Sequence, residues 1–296
     1  MSLVVNTNVG SLNAQRSLTA SASELKTAME RLSSGKKINS AADDAAGFAI
    51  AERMTAQIRG LNMATKNAND GLSMLAVIEN ATNDVTDMLH RMRELAVQAT
   101  NDTNGSQDKT YLNGEVSQLL QEIDRVASQT QYNGQTVLNG GFVNKSIQVG
   151  TEANQDITFS IDGIKTTDLG LGSMQDVLDG DGNNVVDDDG NNVQSLVATI
   201  DLTSDPSAAL QKISNAIEQV AGDRAEYGAL QNRLEYTVSN LMNVAEFTTA
   251  ARSRIEDADF AAESARLAKA QVLQQTGTAM LAQANASSQL ALSLVR

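Results

Sequence analysis

The longest pattern in the chain is a series of small and apolar residues that recur every three or four positions over residues 54–99. This spacing places them along one side of an α-helix, and two successive three-residue steps at Leu72, Leu75 and Ile78 shift the phase locally. One long helix cannot cover its own apolar side, so partner helices are predicted. The series consists of Met54, Ile58, Leu61, Thr65, Ala68, Leu72, Leu75, Ile78, Thr82, Val85, Leu89, Met92, Ala96 and Ala99.

A second series of similar length begins after Asp205 and Pro206, and its three- and four-residue steps continue unbroken to Ile255. Proline is tolerated at the first helical position, so a helix is predicted to start at residue 206. The two series predict a mainly α fold, a long antiparallel helical coiled-coil bundle formed by both chain ends, with a small β-rich central part. The second series consists of Leu210, Ile213, Ile217, Val220, Arg224, Tyr227, Gln231, Leu234, Val238, Leu241, Ala245, Thr248, Arg252 and Ile255.

The amino-terminal segment, residues 3–34, is also predicted to form a helix, and its later part has a strict heptad. Gly35 is expected to end this helix, because glycine readily adopts the left-handed conformation of a C-cap. Asp43 and Asp44 then supply side chains that can cap the start of the next helix. The heptad positions are Leu18, Ala22, Leu25, Met29 and Leu32.

The last forty residues, 257–296, keep a heptad whose members are mostly small. A seam of glycine, alanine and serine is too thin to hold a lone pair of helices in water. We therefore expect this helix to be mobile until a larger assembly surrounds it. Its heptad positions are Leu273, Gly277, Met280, Ala284, Ser287, Ala291 and Leu294.

The central part of the chain combines one further helix with shorter elements. A helix over 112–126 is predicted to fold back antiparallel on the first long helix, and turn signals at 132–135 and 139–141 follow it. Alternation of apolar and polar residues over 147–161 predicts a β-hairpin. Residues 166–205 are predicted to form a small β-rich insert with tight turns at 181–185 and 189–193.

Composition excludes several classes of protein. The chain has 296 residues, a net charge of −14 and no cysteine, so neither disulfides nor thiolate metal sites can form. Residues 141–206 contain twelve Asp or Glu against two Lys, and such an acidic segment argues against nucleic-acid binding. No run of about 18 apolar residues predicts a transmembrane helix. The first residues lack the features of a secretory signal peptide, so any export is expected to use another route.

Candidate metal and cofactor sites are weak. His90 is the single histidine, and with no cysteine the chain offers no zinc site. Asp179 and Asp181 begin like a calcium-binding loop, but Asn184 stands where that loop needs glycine and Gly190 where it needs glutamate. The sequence therefore predicts no cofactor, no metal and no catalytic residue.

Motifs at both ends of the chain resemble those of bacterial flagellin. The resemblance covers about residues 1–165 and 206–296, and only the insert 166–205 lies outside it. The matching segments are Asn6–Asn8, Arg31–Gly35, Ile38–Gly47, Asn69–Gly71, Arg91–Gln98, Glu122–Arg125, Gln131–Gly134, Ile255–Phe260 and Ser287–Arg296.

This resemblance implies a structural subunit that polymerises into the bacterial flagellar filament, a helical propeller that works without any chemical step. It implies a terminal coiled-coil core from 1–43 plus 257–296, a helical rod domain from 44–165 plus 206–256, and a solvent-facing insert at 166–205. It also implies export of the unfolded chain through the flagellar type III route to an extracellular filament. The implied partners are further copies of the chain, a flagellar export chaperone, the filament cap and hook-junction proteins.

Two sets of residues follow from the heptads and the resemblance. The large terminal heptad residues are expected to supply most of the assembly energy. Three other positions match those that vertebrate flagellin-sensing Toll-like receptors contact, and subunit packing in the filament would cover that face, so a host receptor would recognise only the monomer. The assembly residues are Leu18, Leu25, Leu32, Leu273, Met280 and Leu294, and the receptor-facing residues are Arg91, Leu95 and Glu115.

Three alternative functions fit parts of the sequence. A hook–filament junction protein shares the terminal helices and is the main alternative. An enzyme displayed on this scaffold would need a catalytic constellation that 166–205 lacks. A membrane-surface role for the helix at 257–296 would need a Lys- and Arg-rich face, which that segment also lacks.

Overall fold

The computed structural model describes residues 7–176 and 194–293, which form five helices and six strands. The helices are α1 (Val9–Ser34), α2 (Ala45–Ala99), α3 (Ser106–Gln129), α4 (Pro206–Glu256) and α5 (Phe260–Ser293). The strands are β1 (Gln131–Tyr132), β2 (Gln135–Thr136), β3 (Lys145–Gln148), β4 (Asp156–Phe159), β5 (Gly172–Asp176) and β6 (Gln194–Ala198). The prediction of a mainly α fold with a small β-rich centre is confirmed.

The ends of the first two helices follow the predicted capping chemistry. Gly35 adopts φ +71° just after α1, and its N–H donates a 2.9 Å hydrogen bond to the carbonyl of Arg31. At the start of α2, Oδ1 of Asp44 accepts hydrogen bonds from the N–H groups of Ala46 and Gly47 at 3.1 and 3.0 Å. These contacts satisfy backbone groups that would otherwise lack partners at the helix ends.

The chain divides into two compact units. Unit 1 comprises Met1–Arg59 with Val244–Arg296, and unit 2 comprises Gly60–Asn243. Unit 1 therefore joins segments from both chain ends, which confirms that helices from the two ends pack together.

The core of unit 2 lies where the predicted apolar sides of its helices meet. The long series on α2 is buried through most of its length, and the series on α4 alternates between buried and half-buried positions. Both series therefore locate the core correctly. The largest fully buried helical residues include Leu75, Ile78, Leu89, Met92, Leu95, Leu120 and Ile123.

The β3–β4 hairpin confirms the predicted alternation, with Ile147 opposite Ile157 in an antiparallel register. It packs against α2 at two glycines of that helix. A Cβ at Gly60 would lie 2.8 Å from Cγ2 of Thr151, and a Cβ at Gly71 would overlap Cδ1 of Ile147. Glycine at these positions therefore lets the hairpin approach the helix closely.

Within the insert 166–205, strands β5 and β6 pair in an antiparallel register that runs from Gly172 opposite Ala198 to Asp176 opposite Gln194. This pairing agrees with the predicted β-rich insert. The tight turns predicted at 181–185 and 189–193, and the calcium-like loop that starts at Asp179, lie outside the described residues.

Candidate assembly and recognition surfaces

Helices α1 and α5 of unit 1 form an antiparallel pair with close backbone contacts. Nδ2 of Asn8 donates a 2.8 Å hydrogen bond to the carbonyl of Ala284, far along α5. A Cβ at Gly277 would lie 3.1 Å from Cδ1 of Leu18. The small residues on α5 therefore allow close packing, and the buried apolar residues of the seam, Ala28 and Ala270, are both small.

The α1 side of this seam differs from the predicted heptad in one respect. Leu18, Leu25 and Leu32 are half-buried, as expected for seam residues, but Ala22 and Met29 are exposed. The structure places the buried Ser21 and Ala28 in the seam instead. The seam residue that follows Leu18 or Leu25 therefore lies three positions further along α1, and not four as predicted.

The α5 side departs further from the prediction. Gly277 and Ala284 are half-buried, but Leu273 is 40% exposed and Met280 is 64% exposed. These two large residues lie outside the contact with α1, which corrects the predicted seam. Leu294 lies outside the described residues. The α5 residues that are buried or half-buried are Glu263, Ser264, Leu267, Ala270, Gln274, Gly277, Leu281 and Ala284.

Several large apolar side chains of unit 1 are exposed and do not contribute to its own packing. Phe260, at the start of α5, is 71% exposed, and Phe247 on α4 is similarly open. Sequence reasoning missed both, although an aromatic residue outside a helical stripe was a usable signal. Exposed apolar groups of this number indicate a surface that another chain covers. The exposed group comprises Val9, Leu12, Met29, Val244, Phe247, Phe260, Val272, Leu273 and Met280.

A charged cluster lies beside the α1–α5 seam. Glu263 is buried there, and its Oε2 accepts a 3.2 Å hydrogen bond from Nη1 of Arg266. Nη1 of Arg31 lies 3.9 Å from the other oxygen of Glu263. A buried carboxylate needs such partners, and the contact between Arg31 and Glu263 joins the two helices at the base of α5.

The predicted receptor-facing residues meet on unit 2. Nε of Arg91 on α2 donates a 2.9 Å hydrogen bond to Oε1 of Glu115 on α3, and Nη1 also reaches Glu94 at 3.1 Å. These bonds raise the pKa of Arg91, with the bond to Glu115 as the largest cause. Arg91 is exposed and Glu115 is half-exposed, so both are accessible.

Leu95 occupies a different position from the charged pair. It lies one helical turn beyond Arg91 but is only 1% exposed, within the core cluster of unit 2. The structure therefore brings Arg91 and Glu115 together at the surface and places Leu95 beneath it.

One carboxyl group in unit 2, that of Asp223, has no hydrogen bond to offset the cost of its burial. Oδ2 of Asp223 is buried without a hydrogen-bond partner, and Tyr227, one turn further along α4, is only 4% exposed. Burial, followed by the charges of Asp162 and Glu226, raises the pKa of Asp223 to about 6. Burial also raises the pKa of Tyr227. The ionised Asp223 therefore destabilises the folded state at neutral pH.

Asp223→Asn is expected to stabilise unit 2 above pH 6 and to have little effect near pH 4. In the unfolded chain the pKa of this carboxyl is near 3.8, so the protein with Asp223 has its full free energy of unfolding only below that pH. The free energy of unfolding then falls as pH rises through the folded pKa of about 6. Because the side chain is partly exposed, we expect a gain of about 1–2 kcal/mol at pH 8. Urea unfolding followed by circular dichroism at pH 4 and pH 8 measures it. The exposed Asp87→Asn serves as the control, and an equal gain in both variants would contradict the prediction.

Within residues 7–176 and 194–293, no three His, Cys, Asp or Glu side chains gather into a group that could hold a metal ion. Among the same residues, no helix combines the length and apolarity needed to cross a bilayer.

Comparison with known proteins identifies the family. A family model described as the bacterial flagellin N-terminal helical region matches residues 5–142, and one described as the bacterial flagellin C-terminal helical region matches residues 210–295. The chain is 39% identical over 296 residues to a flagellin of Halalkalibacterium halodurans, an alignment that covers 99% of this chain and 100% of the relative. The chain belongs to the bacterial flagellin family.

Two further flagellar proteins align along almost the whole chain. The flagellar filament 33 kDa core protein of Treponema phagedenis is 40% identical over 304 residues, covering 99% of this chain and all of the relative. Flagellin A of Vibrio cholerae is 35% identical over 379 residues, covering both chains completely. The crystal structure of Bacillus cereus flagellin covers 60% of this chain and 88% of its own, with 26% identity and a TM-score of 0.44.

Membership of this family decides between a filament subunit, a junction protein and an enzyme. Flagellins are structural subunits of the flagellar filament, so this chain is a filament subunit and not an enzyme. Full-length similarity to filament proteins favours this role over that of a hook–filament junction protein.

Proposed function

We propose that this flagellin-family chain assembles through concentric helical layers. Residues 1–43 plus 257–296 form the inner layer, 44–165 plus 206–256 the next, and the acidic insert 166–205 faces solvent. The large apolar residues that unit 1 leaves exposed support this order, because an inner layer is where neighbouring copies would cover them. The concentration of negative charge in 141–206 suits a surface position.

The observation that carries this proposal is the position of Met280. Its side chain is well exposed on α5, outside the contact with α1, so the folded monomer gains little from it. An apolar residue that does not stabilise the monomer is available to pack against another copy. Heterologous contacts of this kind, repeated without closure, generate a helical filament.

We propose in addition that the chain leaves the cell unfolded through the flagellar type III route. The partners along this route would be an export chaperone, the hook-junction proteins on which the filament starts, and the filament cap beneath which it grows. The thin α1–α5 seam supports this, because a pair of helices with little buried apolar area costs little to open. The absence of cysteine also means that no disulfide opposes passage as an extended chain.

Met280→Lys is expected to reduce filament elongation at least about tenfold while leaving the monomer folded, because burying one unpaired charge in a subunit contact costs more than 1.4 kcal/mol. Purified variant is added to sheared filament seeds, and elongation is followed by light scattering and electron microscopy. The matched control is Gln283→Lys, which places the same charge at an exposed polar position of α5. Elongation of Met280→Lys at the native rate would overturn the proposed inner position of α5.

We also propose that a vertebrate flagellin-sensing Toll-like receptor recognises the monomer through Arg91 and Glu115. The exposure of Arg91 and its 2.9 Å contact with Glu115 support this, since the pair presents a fixed charged surface. Leu95 lies below this surface and is proposed to contribute by holding α2 in place. In the filament, neighbouring copies would cover the same face.

A further inference from the structure

The sequence contains four Asn–Gly pairs, at residues 104–105, 113–114, 133–134 and 139–140. Asparagine before glycine is prone to a spontaneous reaction, because glycine leaves its backbone nitrogen open to approach the asparagine side chain. The reaction needs two conditions. The side-chain amide must be free to rotate, and the glycine N–H must not be held in a hydrogen bond.

The pair at 139–140 fails the first condition. Nδ2 of Asn139 donates a 2.7 Å hydrogen bond to Oγ1 of Thr136, and Oδ1 of Asn139 accepts a 3.0 Å bond from the N–H of Gly141. Both ends of the side-chain amide are therefore held. Two such bonds must break before the amide carbon can be attacked.

The first two pairs are held as well. Nδ2 of Asn104 donates to the carbonyl of Gln98 at 2.5 Å, and the N–H of Gly105 donates to Asp108 at 3.0 Å. Oδ1 of Asn113 accepts a 3.0 Å bond from the N–H of Leu202, and Gly114 lies inside α3, where helical hydrogen bonds engage its N–H. Hydrogen bonds therefore protect the pairs at 104–105, 113–114 and 139–140.

The pair at 133–134 is different. Asn133 and Gly134 form the two-residue turn between β1 and β2, with φ values of +49° and +76°, as a type I′ turn requires. Both residues are exposed. Among the described residues, neither the side-chain amide of Asn133 nor the N–H of Gly134 has a hydrogen-bond partner, and a Cβ at Gly134 would meet open space.

We propose that Asn133 is the site of spontaneous deamidation in the folded protein. The backbone nitrogen of Gly134 attacks Cγ of Asn133, the new N–Cγ bond forms, and the Cγ–Nδ2 bond breaks. The amide proton of Gly134 leaves with the departing group as ammonia, and a cyclic succinimide remains. Water then adds to either carbonyl of this ring and opens it to aspartate or to isoaspartate, so no oxidant or reductant is required.

The modification changes the surroundings of a cavity. Tyr132, Asn133 and Lys145 help to line a space of about 480 Å³ beside the turn, and Asp70 already carries a negative charge there. Either product adds a second carboxylate to this rim. Isoaspartate also inserts one backbone carbon into a turn of two residues, which breaks the register of Tyr132 with Gln135.

The test compares two asparagines within one peptide. Full-length monomer is incubated at pH 8 in ¹⁸O-water, digested with trypsin, and examined by fragmentation of the peptide 126–145, which contains both Asn133 and Asn139. In the folded protein we expect Asn133 to react at least about tenfold faster than Asn139, because two hydrogen bonds hold the latter. In urea, the two rates should converge. Equal rates in the folded protein, or a faster reaction at Asn139, would overturn the proposal.

Two variants separate this mechanism from general instability. Asn133→Gln is expected to remove most of the label that an isoaspartyl methyltransferase transfers to the incubated protein. Thr136→Val removes the acceptor of the Asn139 amide, so labelling at Asn139 should rise severalfold while labelling at Asn133 stays unchanged. If Thr136→Val raises both sites equally, loosening of the whole hairpin explains the reaction and the proposal fails.

Discussion

Removing residues 257–296 is expected to leave a folded monomer that no longer elongates filament seeds. The deletion removes α5, and with it the partner of α1 in unit 1. Without α5, the half-buried residues Leu18, Leu25 and Leu32 lose the helix that covers them. The exposed apolar residues Leu273 and Met280, proposed to contact other copies, are removed at the same time.

Unit 2 should survive this deletion. Its core cluster runs from Ala68 to Leu234, and no member of it lies within the deleted segment. Circular dichroism should therefore show a cooperative unfolding transition with a midpoint near that of the full chain. Elongation of sheared seeds, counted by electron microscopy, should fall below detection.

A second deletion, within the insert, supplies the control. Asp176 and Gln194 face each other across β5 and β6, so a two-residue Asn–Gly turn can replace residues 177–193 without separating the strands. This variant is expected to elongate seeds, because the insert is proposed to face solvent. Two results would contradict the proposed order of layers. One is elongation of seeds by the variant that lacks 257–296, and the other is loss of elongation in the variant that lacks 177–193.

The long stripes on α2 and α4 could be predicted because their two sides differ strongly in polarity. On α4, the steps from Ile213 through Val220, Tyr227 and Leu234 to Leu241 all end on buried residues. Such contrast arises when one side of a helix faces a core within the same chain. Periodicity then gives both the helix and the direction of its packing.

The α5 seam could not be predicted in the same way. Its apolar residues lie on several sides, so Leu273 and Leu281 belong to different faces although both fit a helical period. A helix with several apolar sides fits more than one register, and spacing alone does not say which side meets α1. In the proposed assembly, the further apolar sides of α5 contact other copies, which a single chain does not contain.

The contacts between distant residues needed the structure. The resemblance points to Arg91 and Glu115, but only the fold shows that their charged groups lie 2.9 Å apart. The uncompensated carboxyl of Asp223 gave no signal at all, because an aspartate on a helix usually faces water. The turn at Asn133 and Gly134 was predictable as a turn, whereas the difference between its hydrogen bonds and those of Asn139 was not.

Leu95→Ala is expected to lower the free energy of unfolding of unit 2 by about 2–5 kcal/mol, the usual range for removing a fully buried leucine side chain. Leu95 is part of the core cluster, so its truncation leaves a cavity. Leu95→Met keeps the volume and should cost less than about 1.5 kcal/mol. Arg91→Ala breaks an exposed ion pair and should leave the free energy of unfolding almost unchanged. Urea unfolding of the three variants measures these differences.

The same variants separate packing from receptor recognition. If Arg91 and Glu115 form the recognised surface, Arg91→Ala should weaken receptor activation by the monomer although its stability hardly changes. Leu95→Met should activate the receptor almost normally, because it preserves the packing beneath that surface. Activation that survives Arg91→Ala but is lost in Leu95→Met would instead require Leu95 to leave the core and contact the receptor directly. Exposing a leucine of this kind gives up about 2 kcal/mol of burial, so such a route needs α2 to separate from α3, across which Arg91 and Glu115 are hydrogen-bonded.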